Sequence, residues 1–151
     1  MEGIMMIKRA EIEDSMDVVR LASLLWPGHN IEEFKIETDQ LIKNENAIIY
    51  LAYGPLGEPI GFAQCQIRTD YVEGTSTTPV GYLEGLFVKE TFRKSGIAKQ
   101  LVKHCEDWSI LKGCREFASD CELDNEESYN VHLKLGFKEV NRVIAFAKKL
   151  T

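Results

Sequence analysis

The stretch Gly81-Tyr82-Leu83-Glu84-Gly85-Leu86-Phe87-Val88, followed after a short connection by Arg93-Lys94-Ser95-Gly96-Ile97-Ala98, decides how this chain folds. The first run is apolar and strand-like, and Ile97 to Lys112 carries the apolar spacing of a helix. A strand therefore hands over to a helix through a basic turn that contains glycine. The first amides of a helix have no partner within it, so such a turn is suited to hold a phosphate. Gly96 lets the backbone approach an anion closely, Ala98 keeps the first helical turn clear, and Arg93 and Lys94 add charge at the rim. The turn shows neither a Gly-Lys-Ser/Thr ending nor G-x-G-x-x-G, which excludes a Walker loop and a dinucleotide fingerprint. The plainer reading is an ordinary helix N-terminus.

Upstream, Ile4 to Lys8 reads as a first strand, and a helix capped by Asp14 or Ser15 lines up Val18, Leu21, Ala22 and Leu25. Trp26-Pro27-Gly28-His29 stops that helix and exposes an aromatic ring and an imidazole on a loop. A second helix, roughly Ile31 to Lys43, is anchored by Phe34, Leu41 and Ile42. Ala47 to Tyr53 and Ile60 to Thr69 form an antiparallel hairpin around Gly54-Pro55-Leu56-Gly57. The polar connection Asp70 to Pro79 leads into the strand quoted first. Downstream, the long helix buries Ile97, Leu101, Cys105, Trp108 and Leu111. A strand from Glu116 to Cys121, a helix from about Asn125 to Leu135 ending at Gly136, and a final strand Val140 to Lys148 complete the chain. Strands that are first antiparallel and later alternate with helices make an α/β or α+β fold with a mixed central sheet.

At 151 residues, 1–151 is expected to be a single domain. Hydrophobic residues make up 44% and charged residues 28%, an ordinary globular balance that excludes a disordered chain, and no apolar run is long enough to span a bilayer. The opening lacks the apolar core of a secretory signal, so the cytoplasm is the expected location. The net charge of −6, from 24 acidic and 18 basic side chains, makes nucleic acid a poor partner. It suits a cationic substrate, although mild acidity also serves solubility alone. Cys65, Cys105, Cys114 and Cys121 have neither zinc-site spacing nor a disulfide pattern, so they are expected to be reduced and buried, with no metal site.

The segment R-x-x-G-x-A formed by Arg93 to Ala98 resembles the pyrophosphate-binding motif of the GCN5-related N-acetyltransferases. Asn125-x-x-Ser128-x-x-x-His132-x-x-x-Gly136-Phe137 is similar to the second coenzyme A segment of that family. The resemblance implies acetyl-CoA as co-substrate and a sheet whose fourth and fifth strands splay apart to admit the pantetheine arm. It further implies that backbone groups of Leu86, Phe87 and Val88 hold that arm and polarise the thioester. Leu25 to His29, Asp70-Tyr71-Val72, Leu83 to Gly85, Lys112 to Glu116, Ala118-Ser119-Asp120 and Leu135-Gly136-Phe137 together resemble the aminoglycoside 6′-N-acetyltransferases. That resemblance implies an aminoglycoside acceptor held by Trp26, His29, Tyr71, Glu84 and Asp120, with Asp120 near the reactive amine. It also implies that Lys94, Ser95, Gly96, Ile97, Ala98, Lys99 and Asn125 bind acetyl-CoA, and that the chain is a homodimer.

Acetyl transfer to an amine needs an unprotonated nitrogen, a polarised thioester carbonyl and a proton for the departing thiolate. Glu84 interrupts an apolar run, where a carboxylate is costly unless used or paired, and Asp120 ends the neighbouring strand. Each alone reads as a strand-edge residue facing water; at one cleft, either is a candidate base or ammonium contact. Asn141 stands where the related enzymes have an acidic residue, leaving Glu139 to supply that contact. His132 stands where the wider family often has the tyrosine that protonates the sulfur, and Tyr129 lies one turn earlier. A histidine packed on the sheet is the plainer reading of His132. The alternatives are an acetyltransferase for a polyamine, an amino-sugar or a protein amine, and a coenzyme A-binding regulatory module without catalysis.

Overall fold

Five strands pair in chain order in one sheet: β1 (Met6–Arg9), β2 (Ala47–Tyr53), β3 (Pro59–Arg68), β4 (Val80–Val88) and β5 (Phe117–Ser119). The computed structural model describes residues 6–151, so the Ile4 and Met5 ends of the expected first strand lie outside the described residues. The pairs β1–β2, β2–β3 and β3–β4 are antiparallel, whereas β4 and β5 run parallel. Among the described residues four α-helices accompany them: α1 (Ser15–Leu25), α2 (Ile31–Lys43), α3 (Ile97–Leu111) and α4 (Glu126–Lys134).

The helices divide between the two faces of the sheet. On one face α3 sets Ile97, Leu101, Val102, Cys105 and Trp108 against Ile48, Ala63, Cys65 and Leu83. On the other, Val18, Leu21 and Ala22 of α1, with Phe34, Leu41 and Ile42 of α2, pack on Ile49, Leu51 and Phe62. Side-chain caps open α2 and α4, where Asn30 accepts from the Glu33 amide and Asn125 from the Ser128 amide; the expected cap of α1 is not made, because the Asp14 carboxylate at its N-cap is held by the Glu11 amide and Lys8 instead.

β5 is shorter than expected, and it pairs with β4 only through Gly81↔Phe117, Tyr82↔Ala118 and Leu83↔Ser119. Beyond Leu83 the β4 edge on that side has no strand against it among the described residues. This is the splay that the resemblance implies. The expected last strand, Val140 to Lys148, is not formed: residues 138–151 have no regular structure and are exposed throughout. A strand needs an edge to pair with, and β5, three residues long at the end of the sheet, offers only a short one. Leu111 is a second correction, since it is 86% exposed. The helical period carries the buried stripe of α3 through Trp108 to Ser109 instead. Cys121 is a third: it lies past the end of β5 and is exposed, while the other three cysteines are buried and all four are free thiols.

Candidate active site

The register of β3 against β4 slips by one residue between Gln64↔Gly85 and Cys65↔Leu83, leaving Glu84 as the extra residue on β4. Such a bulge re-aims the side chains on either side of it. Before it, Leu83 faces α3; after it, Leu86 and Val88 do. Tyr82 and Phe87 turn to the opposite side, where Tyr82 packs with Val72 and Val80, and Phe87 with the α1–α2 cluster. That side of the bulged strand is the floor of the candidate cleft.

A chain of contacts joins its polar residues. The hydroxyl of Tyr82 donates to Asp120. The Arg68 guanidinium lies 3.5 Å above the centre of the Tyr82 ring. The same guanidinium donates from Nε and Nη2 to both carboxylate oxygens of Glu84, at 2.9 to 3.1 Å. Glu84 is therefore paired, as a carboxylate in an apolar run must be unless it is used. Burial, and then the Asp120 hydrogen bond, push the Tyr82 pKa well above its ordinary value. Its phenol stays protonated and remains a donor to Asp120.

Trp26 forms the wall. Its indole sits 6.1 Å from Phe62 and 6.4 Å from Phe34, between centroids, and its far edge covers Gly85. A Cβ on Gly85 would lie 2.5 Å from that edge. Trp26 is thus half-buried against the sheet rather than free on a loop. His29 is exposed, with its ring 5.0 Å from Phe34. Tyr71 is 77% exposed on the loop before β4, next to Val72, which packs under Tyr82.

At the end of β4, the Arg93 guanidinium turns back: Nε donates to the Val88 carbonyl at 2.7 Å and Nη1 approaches Glu127 at 3.4 Å. Arg93 closes the turn, while Lys94 and Gly96 take left-handed φ values of 64° and 86°. Ser95 donates to the Phe92 carbonyl. The first helical bond of α3 runs from the Gln100 amide to the Gly96 carbonyl. The amides of Ile97, Ala98 and Lys99 are left without a partner inside the helix, a seat for an anion.

On α4, His132 is anchored at both ring nitrogens: Nδ1 lies 2.7 Å from the Ser128 carbonyl and Nε2 lies 2.8 Å from the Ser119 hydroxyl. Ser119 belongs to the last β4–β5 pair and also reaches the Leu83 carbonyl, so His132 stands where the two strands begin to part. Tyr129 donates to Glu139, which also holds Arg142. The Glu139 carboxyl is drawn below the usual carboxylate range, by Arg142 foremost. Asn141 donates to Glu73 on the loop that carries Tyr71. These contacts occupy Glu139 and Asn141 outside the group formed by Glu84, Arg68, Tyr82 and Asp120. Among the described residues, no group of three or more His, Cys, Asp or Glu side chains is placed to hold a metal ion.

Arg68 and Tyr82 escape a reading of the sequence. Tyr82 looks like one more apolar residue of its strand. In the register before the bulge Arg68 stands opposite Val80 and diagonal to Tyr82, on the face that alternation also gives Glu84, so the pairing of two strands distant in sequence brings the guanidinium onto both side chains.

The profile of the Acetyltransferase (GNAT) family matches residues 16–137. An aminoglycoside N(6')-acetyltransferase type 1 from Acinetobacter baumannii is 41% identical over 148 residues, spanning 98% of this chain and 99% of its own. The crystal structure of the aminoglycoside antibiotic 6'-N-acetyltransferase AAC(6')-Ih from Acinetobacter baumannii superposes with a TM-score of 0.92 at 40% identity, covering 97% of this chain and 99% of that one. AAC(6')-Iy, in complex with the bisubstrate analog CoA-S-monomethyl-acetylneamine, superposes with a TM-score of 0.91 at 38% identity, covering 95% and 97%.

Proposed function

Because the chain belongs to the Acetyltransferase (GNAT) family, we propose that it transfers the acetyl group of acetyl-CoA to the 6′-amine of aminoglycoside antibiotics. The observation that carries this reading is the near full-length likeness to AAC(6')-Iy held with a bisubstrate analog of the two reactants. In the reaction the amine loses a proton, a C–N bond forms at the acetyl carbon, the C–S bond breaks and the sulfur takes up a proton. Attack is direct, within a ternary complex. Acetylation removes one positive charge from a polycationic drug and weakens its hold on ribosomal RNA, which confers resistance.

Each part of the reaction has a place. The Lys94–Lys99 turn and the free amides of α3 suit the pyrophosphate, with Arg93 bracing the turn and Asn125 capping the neighbouring helix. The open edge of β4 over Leu86, Phe87 and Val88 suits the pantetheine amides. Asp120, with one oxygen already accepting from Tyr82, is the residue we assign to the substrate ammonium and its proton. Trp26, His29 and Tyr71 form the platform for the sugar rings, and Glu84 flanks them. His132, at the point where the strands part, is the candidate proton source for the thiolate.

We place this single-domain enzyme in the cytoplasm, a reading supported by its free thiols; no helix among the described residues is long and apolar enough to cross a membrane. We further propose a homodimer. The support is the C-terminal segment, whose Val143, Ile144 and Phe146 are 76%, 82% and 91% exposed and would gain cover from a second copy. Light scattering on the full chain should give twice the chain mass, and a monomer mass would contradict it.

A thiol-release assay with acetyl-CoA and a panel of aminoglycosides, with spermidine and a peptide amine as controls, tests the proposed activity. Turnover confined to aminoglycosides is expected; turnover of the controls alone would overturn the reading.

A further inference from the structure

We propose that Arg68 is a specificity-determining residue: an internal counter-cation that occupies the ammonium seat between Glu84 and the Tyr82 ring until a polycationic acceptor displaces it. The inference rests on the acceptor reading given above.

The geometry is that of a cation-binding site already filled. A positive group over an aromatic face with a carboxylate beside it is how such sites hold alkylammonium ions. Here the guanidinium lies 3.5 Å above the ring centre and binds both oxygens of Glu84. The same ring donates its hydroxyl to Asp120, so both acidic residues of the cleft meet at one tyrosine. The Arg68 side chain is 43% exposed and that of Glu84 20%, so the arginine sits on the solvent side of the pair and can swing away. Its place at the end of β3 allows this, since the residues that follow belong to a loop.

Pairing neutralises Glu84 and spares the desolvation cost of an uncompensated carboxylate in the empty cleft. It also sets a threshold. An acceptor with a single ammonium has to break a bidentate pair for one contact in return. An acceptor with several ammonium groups engages Asp120 first and then competes for Glu84 at high local concentration. Arg68 thereby disfavours monoamines, which have no second ammonium to offset the loss of that pair.

The test is steady-state kinetics of Arg68→Gln and Arg68→Lys with an aminoglycoside, a monoamine sugar and acetyl-CoA. Gln removes the charge; Lys keeps it but loses the planar fork. For Arg68→Gln we expect the aminoglycoside KM to fall roughly threefold to tenfold, the scale of one partly exposed bidentate pair. Its kcat and the acetyl-CoA KM should stay within a factor of about two. The monoamine should gain turnover, and Arg68→Lys should lie between the two. In an Arg68→Gln, Glu84→Gln double variant the gain should vanish, because the freed carboxylate is gone. An aminoglycoside KM that stays unchanged in Arg68→Gln would overturn the proposal, as would one that rises and is restored in the Lys variant, which would make Arg68 a strut for Glu84. Should Arg68→Gln not fold, the Lys variant decides by the direction of its KM. If the unmodified enzyme turns over no aminoglycoside, it is the acceptor reading that has failed, a result distinct from any of these.

Discussion

The hydroxyl of Tyr82 on β4 donates to the carboxylate of Asp120, just beyond β5, at the last point where the two strands are still together. This bond fixes Asp120, an exposed residue past the end of its strand, in one position relative to the cleft floor. An aspartate held by a buried phenol keeps its second oxygen for an ammonium group.

Tyr82→Phe removes that donor and leaves the ring under Arg68. Acceptor kcat/KM should fall roughly tenfold, the loss of one charge-assisted hydrogen bond of about 1.5 kcal/mol, with the acetyl-CoA KM unchanged. The bond also leaves a trace in stability. Burial and Asp120 raise the Tyr82 pKa above 10.0 in the folded state. The stability this contributes is fully present below the unfolded value and is lost as pH rises toward the folded one. The urea stability gap between the unmodified chain and Tyr82→Phe should therefore hold steady from pH ~7 to ~10 and narrow above that. The other tyrosines are common to both chains and cancel. A gap that widens in base would contradict the assignment.

Gly96 precedes the first residue of α3 at φ 86° with nothing within 4 Å of where a Cβ would sit. Gly96→Ala therefore meets no clash but strains the left-handed backbone by about 1–2 kcal/mol. The turn should shift, raising the acetyl-CoA KM while the acceptor KM stays put. Calorimetry showing undiminished coenzyme A affinity would argue that the phosphate sits elsewhere.

Gly85→Ala makes the opposite test, because here space rather than backbone is limiting. The added methyl would lie 2.5 Å from the Trp26 indole, which is hemmed in by Phe62 and Phe34. The ring must tilt out of the cleft. We expect a higher acceptor KM, together with a changed Trp fluorescence that arises from Trp26, since Trp108, on α3, is buried against the other face of the sheet. An unaltered acceptor KM would remove Trp26 from the platform.

Asp120→Ala and Trp26→Ala should separate chemistry from binding. Loss of the assigned proton acceptor is expected to slow kcat by about 10²–10⁴-fold, whereas Trp26→Ala mainly raises the acceptor KM. If Asp120→Ala keeps its kcat and changes only KM, Asp120 is a binding residue.

Much of this was legible in the residues, and the exceptions have physical causes. Local signals sufficed where structure is local: the helix read from Ile31 to Lys43 is α2, Trp26-Pro27 ends α1, and Gly96 opens α3. Glu84 and Asp120 stand out as candidate site residues because each is out of keeping with its neighbours, whereas Trp26 enters through the family resemblance. Arg68 and Tyr82 do not stand out, since their contact depends on the register of β3 against β4, with Arg68 opposite Val80 and diagonal to Tyr82, which neither strand discloses alone. The segment from Val140 to Lys148 has the composition of a strand, but pairing depends on a free edge rather than on its own residues. Likewise, Leu111 satisfies the apolar pattern of α3 yet turns to solvent, because the helical phase puts Trp108 and Ser109 of the last turn against the sheet instead.

The most direct measurement is where the acetyl group ends up. Nuclear magnetic resonance of the product formed from acetyl-CoA and an aminoglycoside bearing amines at several positions should show one acetyl group, on the 6′ nitrogen. The analogue with a 6′-hydroxyl in place of that amine should be left unmodified. Acetylation at another ring nitrogen, or equal modification of the 6′-hydroxyl analogue, would contradict the account.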